Sequence, residues 1–227
     1  MSSQRPNRKV TCLNVLVALL LECAISGLPI SRVYAESIPQ VVRDPARGVF
    51  LIATKNLRDG NFSNTVVLLT DHRSVGSVGL IINRASNVSV TSIVPDLRSL
   101  GSSDAKLHFG GPVSLHSVRI LVNSPVDVPS SERLMKNLYF VNSIAVLRSL
   151  LKSDEVIATR MMRYYAGYAA WSPGQLQQEI ARGDWRLIAA DINTVFADDV
   201  EVIWQNFAEQ LEGTWVLLDN DSKTPYR

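Results

Sequence analysis

The stretch "GVFLIATKNLRDGNFSNTVVLLTDHRSVGSVGLIINR", Gly48 to Arg84, decides the fold class. Gly48 to Ala53 is apolar, β-branched and aromatic, which predicts a buried strand. Asn64 to Thr70 and Gly76 to Asn83 read the same way. The link "DHRSV" between them is too short for a parallel crossover, so the pair predicts an antiparallel hairpin. Beyond it, Ser117 to Asn123 and "LYFVN" from Leu138 add further strands, so the first half is β-rich.

Helices enter later. In "SIAVLRSLLKS", Ser143 is placed to cap, and Ile144, Leu147, Leu150 and Leu151 fall on one face. In "DDVEVIWQNFAEQL", Asp198 and Glu201 have capping-box spacing, and Val200, Ile203, Trp204, Phe207, Ala208 and Leu211 recur at three- and four-residue steps until Gly213. "TWVLLD" predicts a last strand and "NDSKTPYR" a polar tail. The sum is a single α+β domain over 48–219, with a linker at 36–47 and a tail at 220–227.

The N-terminus reads as an address. Arg5, Arg8 and Lys9 precede an apolar run densest at "VLVALLL", and Val33 and Ala35 are the small residues expected before a signal-peptidase cut. Residues 1–35 therefore predict a secretory signal peptide and a periplasmic or secreted mature chain, the alternative being a cytoplasmic protein with a misassigned start. A membrane anchor fits less well, because Glu22 interrupts the apolar run and Ser26, Gly27 and Pro29 follow. Lipoprotein attachment at Cys23 is disfavoured by Glu22, which sits where a small residue is wanted. Cleavage would remove four of the 23 basic and one of the 21 acidic residues, leaving 19 against 20, a net charge of −1. That is not the footprint of a nucleic-acid binder. Both cysteines, Cys12 and Cys23, leave too, so the mature chain has no disulfide and no thiol nucleophile.

Common catalytic templates are missing. There is no GxxxxGK[ST] loop and no GxGxxG after a strand, and "GSVG" at Gly76 lacks the offsets of a serine elbow. His72, His108 and His116 have no metal-ligand spacing, so neither a metal nor a cofactor is expected. His72 is the best-placed titratable group, in the hairpin link. Asn83 and Arg84 supply a donor pair at a strand end, and "FGGPV", Phe109 to Val113, reads either as a tight chain reversal or as a backbone anion nest.

A second stretch, "YAGYAAWSPGQLQQEIARGDW" (Tyr165 to Trp185), packs aromatics against Gly and Pro breaks. "SPGQ" predicts a helix start, with Ser172 as cap, Pro173 at the first helical position and Gln175 completing a capping box. Leu176 and Ile180 then face the core, Glu179 and Arg182 lie on or near the polar face, and Gly183 is the stop. Upstream, the strand broken by Gly167 predicts a bulge or a close backbone approach, leaving Tyr168 and Trp171 without a local explanation.

The 48–84 stretch, "GGPV" at Gly110 and the 165–185 stretch, in that order, resemble the AlgH/YqgE family of bacterial proteins over roughly residues 48–219. The resemblance implies a compact α+β fold with a barrel-like or bifurcated, mostly antiparallel sheet flanked by helices. It implies little chemistry; some members carry a transcriptional-regulator label, but the fold is no standard DNA-binding module. The positions carried over are His72, Asn83, Arg84, Gly110, Gly111, Pro112, Gly167, Tyr168, Trp171, Gln175 and Glu179. This chain departs from the pattern at Ala85, where proline is usual, at Ala170, where glycine is usual, and in its leader. The expected function is a non-enzymatic binding or regulatory module with a protein or small-molecule partner. The alternative is an enzyme or small-ligand binder with a cleft around His72, Asn83, Arg84 and the GGPV turn. The candidate ligand-binding set is His72, Asn83, Arg84, Gly110, Gly111, Tyr168 and Trp171.

Overall fold

The computed structural model describes residues 39–100, 105–152 and 162–211. The predicted signal peptide, the "TWVLLD" strand and the polar tail lie outside the described residues. Strands β1 (Val49–Ala53), β2 (Val66–Arg73) and β3 (Gly76–Ile81) form an antiparallel meander. The hairpin is tighter than the sequence predicts. Asp71, His72 and Arg73 belong to β2, opposite Val78, Ser77 and Gly76, after a register shift between Leu69 and Asp71, so only Ser74 and Val75 turn. His72 is thus a strand residue and not part of a link.

The remaining strands are β4 (Ala85–Ser89), β5 (Lys106–Phe109), β6 (Val113–Asn123), β7 (Glu132–Met135), β8 (Leu138–Val141), β9 (Met162–Trp171) and β10 (Trp185–Ala189). Together they make one open ten-stranded sheet, ordered β10-β1-β2-β3-β9-β6-β8-β7, with β5 and β4 off this path. The only parallel pair among the described strands is β5 with β9. The sheet does not close, so of the two forms the resemblance implies, barrel-like or bifurcated, it takes the second and bifurcates at β9. Its C-terminal residues Ala169 to Trp171 pair with β3, while Tyr164 to Ala166 pair with β5 on one edge and β6 on the other. Before β1, Val41 bridges to Ile188, so the segment read as a linker touches the outer edge of β10.

The branching creates three apolar layers. Between the branches, Phe50, Leu68 and Leu80 meet Leu121, Phe140 and Tyr165, and the C-terminal residues Val195, Ile203, Phe207 and Leu211 cover them. On the outer face of the β1–β3 branch, α2 (Gln175–Ala181) sets Leu176 and Ile180 against Leu51, Leu69 and Trp185. On the outer face of the β6–β8 branch, α1 (Ile144–Lys152) buries Leu147 and Leu150, with the Ser143 hydroxyl accepting from the Val146 N–H.

Two helix starts differ from the sequence reading. Ser172, Pro173, Gly174 and Gln175 form a turn closed by Gln175 N–H to Ser172 C=O, with Gly174 at φ 77°, ψ −13°. Proline before a left-handed glycine is the type II pattern, so the helix begins at Gln175 rather than at Pro173. One half of the predicted box survives, since Gln175 Oε1 accepts from the Ser172 N–H. After the short α3 (Ile192–Val195), the last described helix, α4, runs over 203–211. Asp199, not Asp198, accepts the Glu201 N–H there, so the predicted Asp198–Glu201 box does not form.

At the branch point Gly167 has φ 70°, and a Cβ added there would lie 2.4 Å from the Gly111 carbonyl oxygen. Gly174 has a similar φ but open space around it. Gly167→Ala is therefore expected to cost at least about 2 kcal/mol, against about 1 kcal/mol for Gly174→Ala, where only the backbone conformation is penalised. Urea unfolding midpoints of the two variants check this.

Candidate functional site

The seven candidate residues fall in three places. His72 and Trp171 flank Ser77 across β2, β3 and β9, on the face that α2 covers. With the Gln177 amide donating to His72 Nε2 at 3.3 Å, His72 Nδ1–H donates to Ser77 Oγ at 2.7 Å. Both ring nitrogens are thus occupied by neighbours.

Trp171 belongs to an aromatic cluster. It stacks on Phe62 at 5.8 Å between centroids and meets Trp185 edge-on at 6.0 Å. Both indoles are buried, and both donate Nε1–H to one oxygen, Glu179 Oε2, at 2.9 and 2.8 Å. Gln175 donates to the other oxygen at 3.0 Å. Glu179 is therefore the acceptor that lets two tryptophans pack side by side, and not the polar-face residue that helix periodicity assigns. The signal was available in sequence, as two tryptophans straddling a glutamate in one short stretch, but periodicity alone outranked it. The helix closes around it: Asp184 N–H reaches Glu179 C=O and Gly183 N–H reaches Ile180 C=O, the Schellman pair. Beside the cluster, a cleft of about 640 Å³ opens between the 55–62 loop and α2, with Ala170 on its wall.

The second place is the β3–β4 corner, at the other end of the hairpin. Six residue steps along β2 lead from Val66, beside Asn83, to His72, a run of about 20 Å. The expected cleft therefore does not gather His72 with Asn83 and Arg84. Asn83 is buried and structural: Oδ1 accepts from Val66 N–H at 2.7 Å, and Nδ2 donates to Asn64 C=O at 2.9 Å. Arg84 is different. Nη2 donates to Ser63 C=O at 3.2 Å and the guanidinium lies 5.7 Å from the Phe109 ring centroid. Burial lowers its pKa, with Asp59 acting in the opposite direction. No carboxylate among the described residues forms an ion pair with it. A cleft of about 520 Å³ lies here, bounded by Ser63, Asn64, Asn83, Arg84, Phe109 and Glu201.

The third place is the branch itself. Gly110 C=O accepts from Ile81 N–H and Gly110 N–H donates to Ala166 C=O, joining β3 to β9. A Cβ on Gly111, at φ 149°, would lie 2.2 Å from the Tyr168 carbonyl carbon. The geometry supports the reversal reading of GGPV, and Gly110 N–H is not free for an anion. Tyr168 lies under the Arg119 guanidinium, 5.1 Å from its ring centroid.

One polar cluster was not foreseen. His108 is tilted against Tyr165 at 5.3 Å, and Arg163 reaches over Phe196 to donate to Ala197 C=O. His108 Nδ1, Arg163 Nη1 and the Tyr165 hydroxyl are buried without hydrogen-bond partners among the described residues. Burial raises the Tyr165 pKa; Arg163 lies close enough to oppose this without reaching hydrogen-bond geometry. Burial, and then Arg163, lower the His108 pKa from 6.5 to about 4.

The chain matches the model of the AlgH-like family, DUF179, over residues 50–216. The chain belongs to this family. It is 30% identical to a UPF0301 protein of Chlorobaculum parvum, covering 78% of this chain and 93% of that one. It is 34% identical to a UPF0301 protein of Streptomyces coelicolor, covering 75% and 89%. A crystal structure of a protein from Corynebacterium diphtheriae matches with TM-score 0.60 at 29% identity, over 73% of this chain and 86% of that one. The solution structure of AlgH from Pseudomonas aeruginosa matches with TM-score 0.61, at 24% identity and over 82% and 100% of the two chains, a likeness of fold. In this AlgH-like chain, no group of three or more histidine, cysteine or acidic ligands gathers among the described residues, and no described helix is long and apolar enough to cross a membrane.

Two outcomes follow for this site. Glu179→Ala leaves two buried indole N–H groups without their acceptor and should destabilise the protein by about 2–4 kcal/mol; urea unfolding and the near-ultraviolet circular dichroism of the tryptophans report it. Because the folded pKa of His108 is about 4 against 6.5, the unfolded chain binds more protons between these values. The stability of the wild type relative to His108→Asn is therefore complete above pH 6.5 and declines as pH falls to about 4, checked by paired urea midpoints across that window.

Proposed function

We propose that this AlgH-like protein is a non-catalytic binding module that takes an anionic group of its ligand or partner at the Arg84 cleft. One observation carries the reading. Arg84 lines an open cleft, its guanidinium lying 5.7 Å from the Phe109 ring centroid with one side-chain hydrogen bond and no direct carboxylate partner among the described residues. A guanidinium has five N–H donors in a fixed fork that matches a carboxylate or phosphate. Partial burial makes such a bond stronger than it would be in water.

The other polar candidates support binding over catalysis, because their polar atoms are engaged in architecture. His72 is bonded at both ring nitrogens, Asn83 closes backbone groups, and Gly110 bridges β3 to β9. The one hydroxyl among the described residues that line the Arg84 cleft, Ser63, donates to the Asp59 carbonyl at 2.9 Å. Direct DNA binding is not favoured, since the predicted mature charge is −1 and a phosphate backbone needs a basic surface.

The test is thermal shift and calorimetric titration with acetate, succinate and inorganic phosphate. At least one should bind the wild type. Arg84→Ala should weaken it about 10–100-fold, the worth of a charge-assisted hydrogen bond. Equal binding by wild type and Arg84→Ala, or no binding of any carboxylate- or phosphate-bearing ligand, zwitterions included, would sink the reading.

A further inference from the structure

The Arg84 cleft carries a second charge. Glu201, from the turn before α4, lines the same cavity as Arg84. Its backbone N–H is bonded to Asp199, and its carboxylate forms no hydrogen bond or ion pair with any described residue. Arg84 and Glu201 form no ion pair with each other. The cavity is therefore lined by one cationic and one anionic residue that do not neutralise each other, with Asn64, Asn83 and Ser63 around them and the Phe109 ring beneath the guanidinium.

From this we infer that the cleft selects an amino carboxylate, a small molecule carrying both an ammonium and a carboxylate. The carboxylate takes the Arg84 fork and the ammonium takes Glu201. Neither wall alone would select this class. A plain anion is attracted by Arg84 and repelled by Glu201, and a plain amine meets the reverse. A molecule bearing both charges satisfies both walls at once and leaves no unpaired charge in the cleft. Glu201 comes from a segment far in sequence from Arg84, so this pairing is a product of the fold.

This inference rests on the Arg84 reading, and the experiment separates the two. Titrate the full chain with a ladder of amino carboxylates, glycine, β-alanine, γ-aminobutyrate and ε-aminocaproate, beside acetate, propionate, butyrate and hexanoate. At one rung of the ladder the amino carboxylate should bind at least about tenfold more tightly than the acid of equal length, about 1.4 kcal/mol. Glu201→Gln should move the two classes in opposite directions, weakening the amino carboxylate about tenfold while strengthening the plain acid two- to threefold as repulsion is removed. Arg84→Ala should weaken both. Equal affinity for both classes at every rung, or a preference retained in Glu201→Gln, would overturn the amino-carboxylate assignment and leave the Arg84 anion site standing. Binding of neither class to the wild type would overturn both.

Discussion

The close approach of two backbones, at Gly111 and Gly167, is the constraint around which this fold is arranged. β9 serves two branches of one sheet, and the chain after β5 must cross its surface where they diverge. No side chain fits in that crossing, because a Cβ on either glycine would sit within 2.4 Å of the opposite backbone. With the crossing in place, Gly110 hydrogen-bonds to Ile81 on one side and Ala166 on the other, which ties β3 to the branch. The inner face of the fork then forms one apolar layer beneath α4. The β3–β4 corner is fixed by the same contact, since Phe109 N–H bonds to Arg84 C=O immediately before Gly110. The Arg84 cleft is thus a direct neighbour of the branch.

A second anchoring point holds the opposite face. Two tryptophans are hard to bury together, because each indole needs an acceptor and neither can accept from the other. Glu179 meets both needs with one oxygen, and α2 places it there. The 54–63 loop is drawn over the cluster through Phe62, and Thr54 bonds to Gly183 and Asp184. That loop continues into Ser63, whose carbonyl holds Arg84, so the tryptophan cluster and the cleft share one connecting segment.

Much of the fold was legible because its strongest elements are locally coded. The β2–β3 hairpin, the broken strand at Gly167 and the amphipathic faces of α1 and α4 follow from periodicity and turn residues. β4, β5, β7 and β10 were not legible: they are only four or five residues long, and β5 and β10 owe their pairing to distant strands. The helix starts were misread by two residues in α2 and four in α4: Gly174 rather than Ser172 precedes α2, and Asp199 rather than Asp198 holds the Glu201 N–H in a turn ahead of α4. Of the candidate site, Asn83 and Arg84 were legible as a donor pair at a strand end. Glu201 was not, because no local pattern marks a carboxylate whose significance comes from a neighbour across a cleft.

The two substitutions against the family pattern now have a physical reading. Ala170 is not among the residues with positive φ, and it is exposed on the wall of the cleft beside α2, so a methyl group there meets no backbone demand. Trp171 keeps its place through Glu179, Phe62 and Trp185 instead. At Ala85 the argument runs differently. A proline would stiffen the exit from Arg84, but here the corner is held from the other side: Arg84 C=O accepts from Phe109, Nη2 reaches Ser63, and Ala85 pairs with His108 at the start of β4. The orientation of the guanidinium in this chain therefore depends on Ser63 and Phe109.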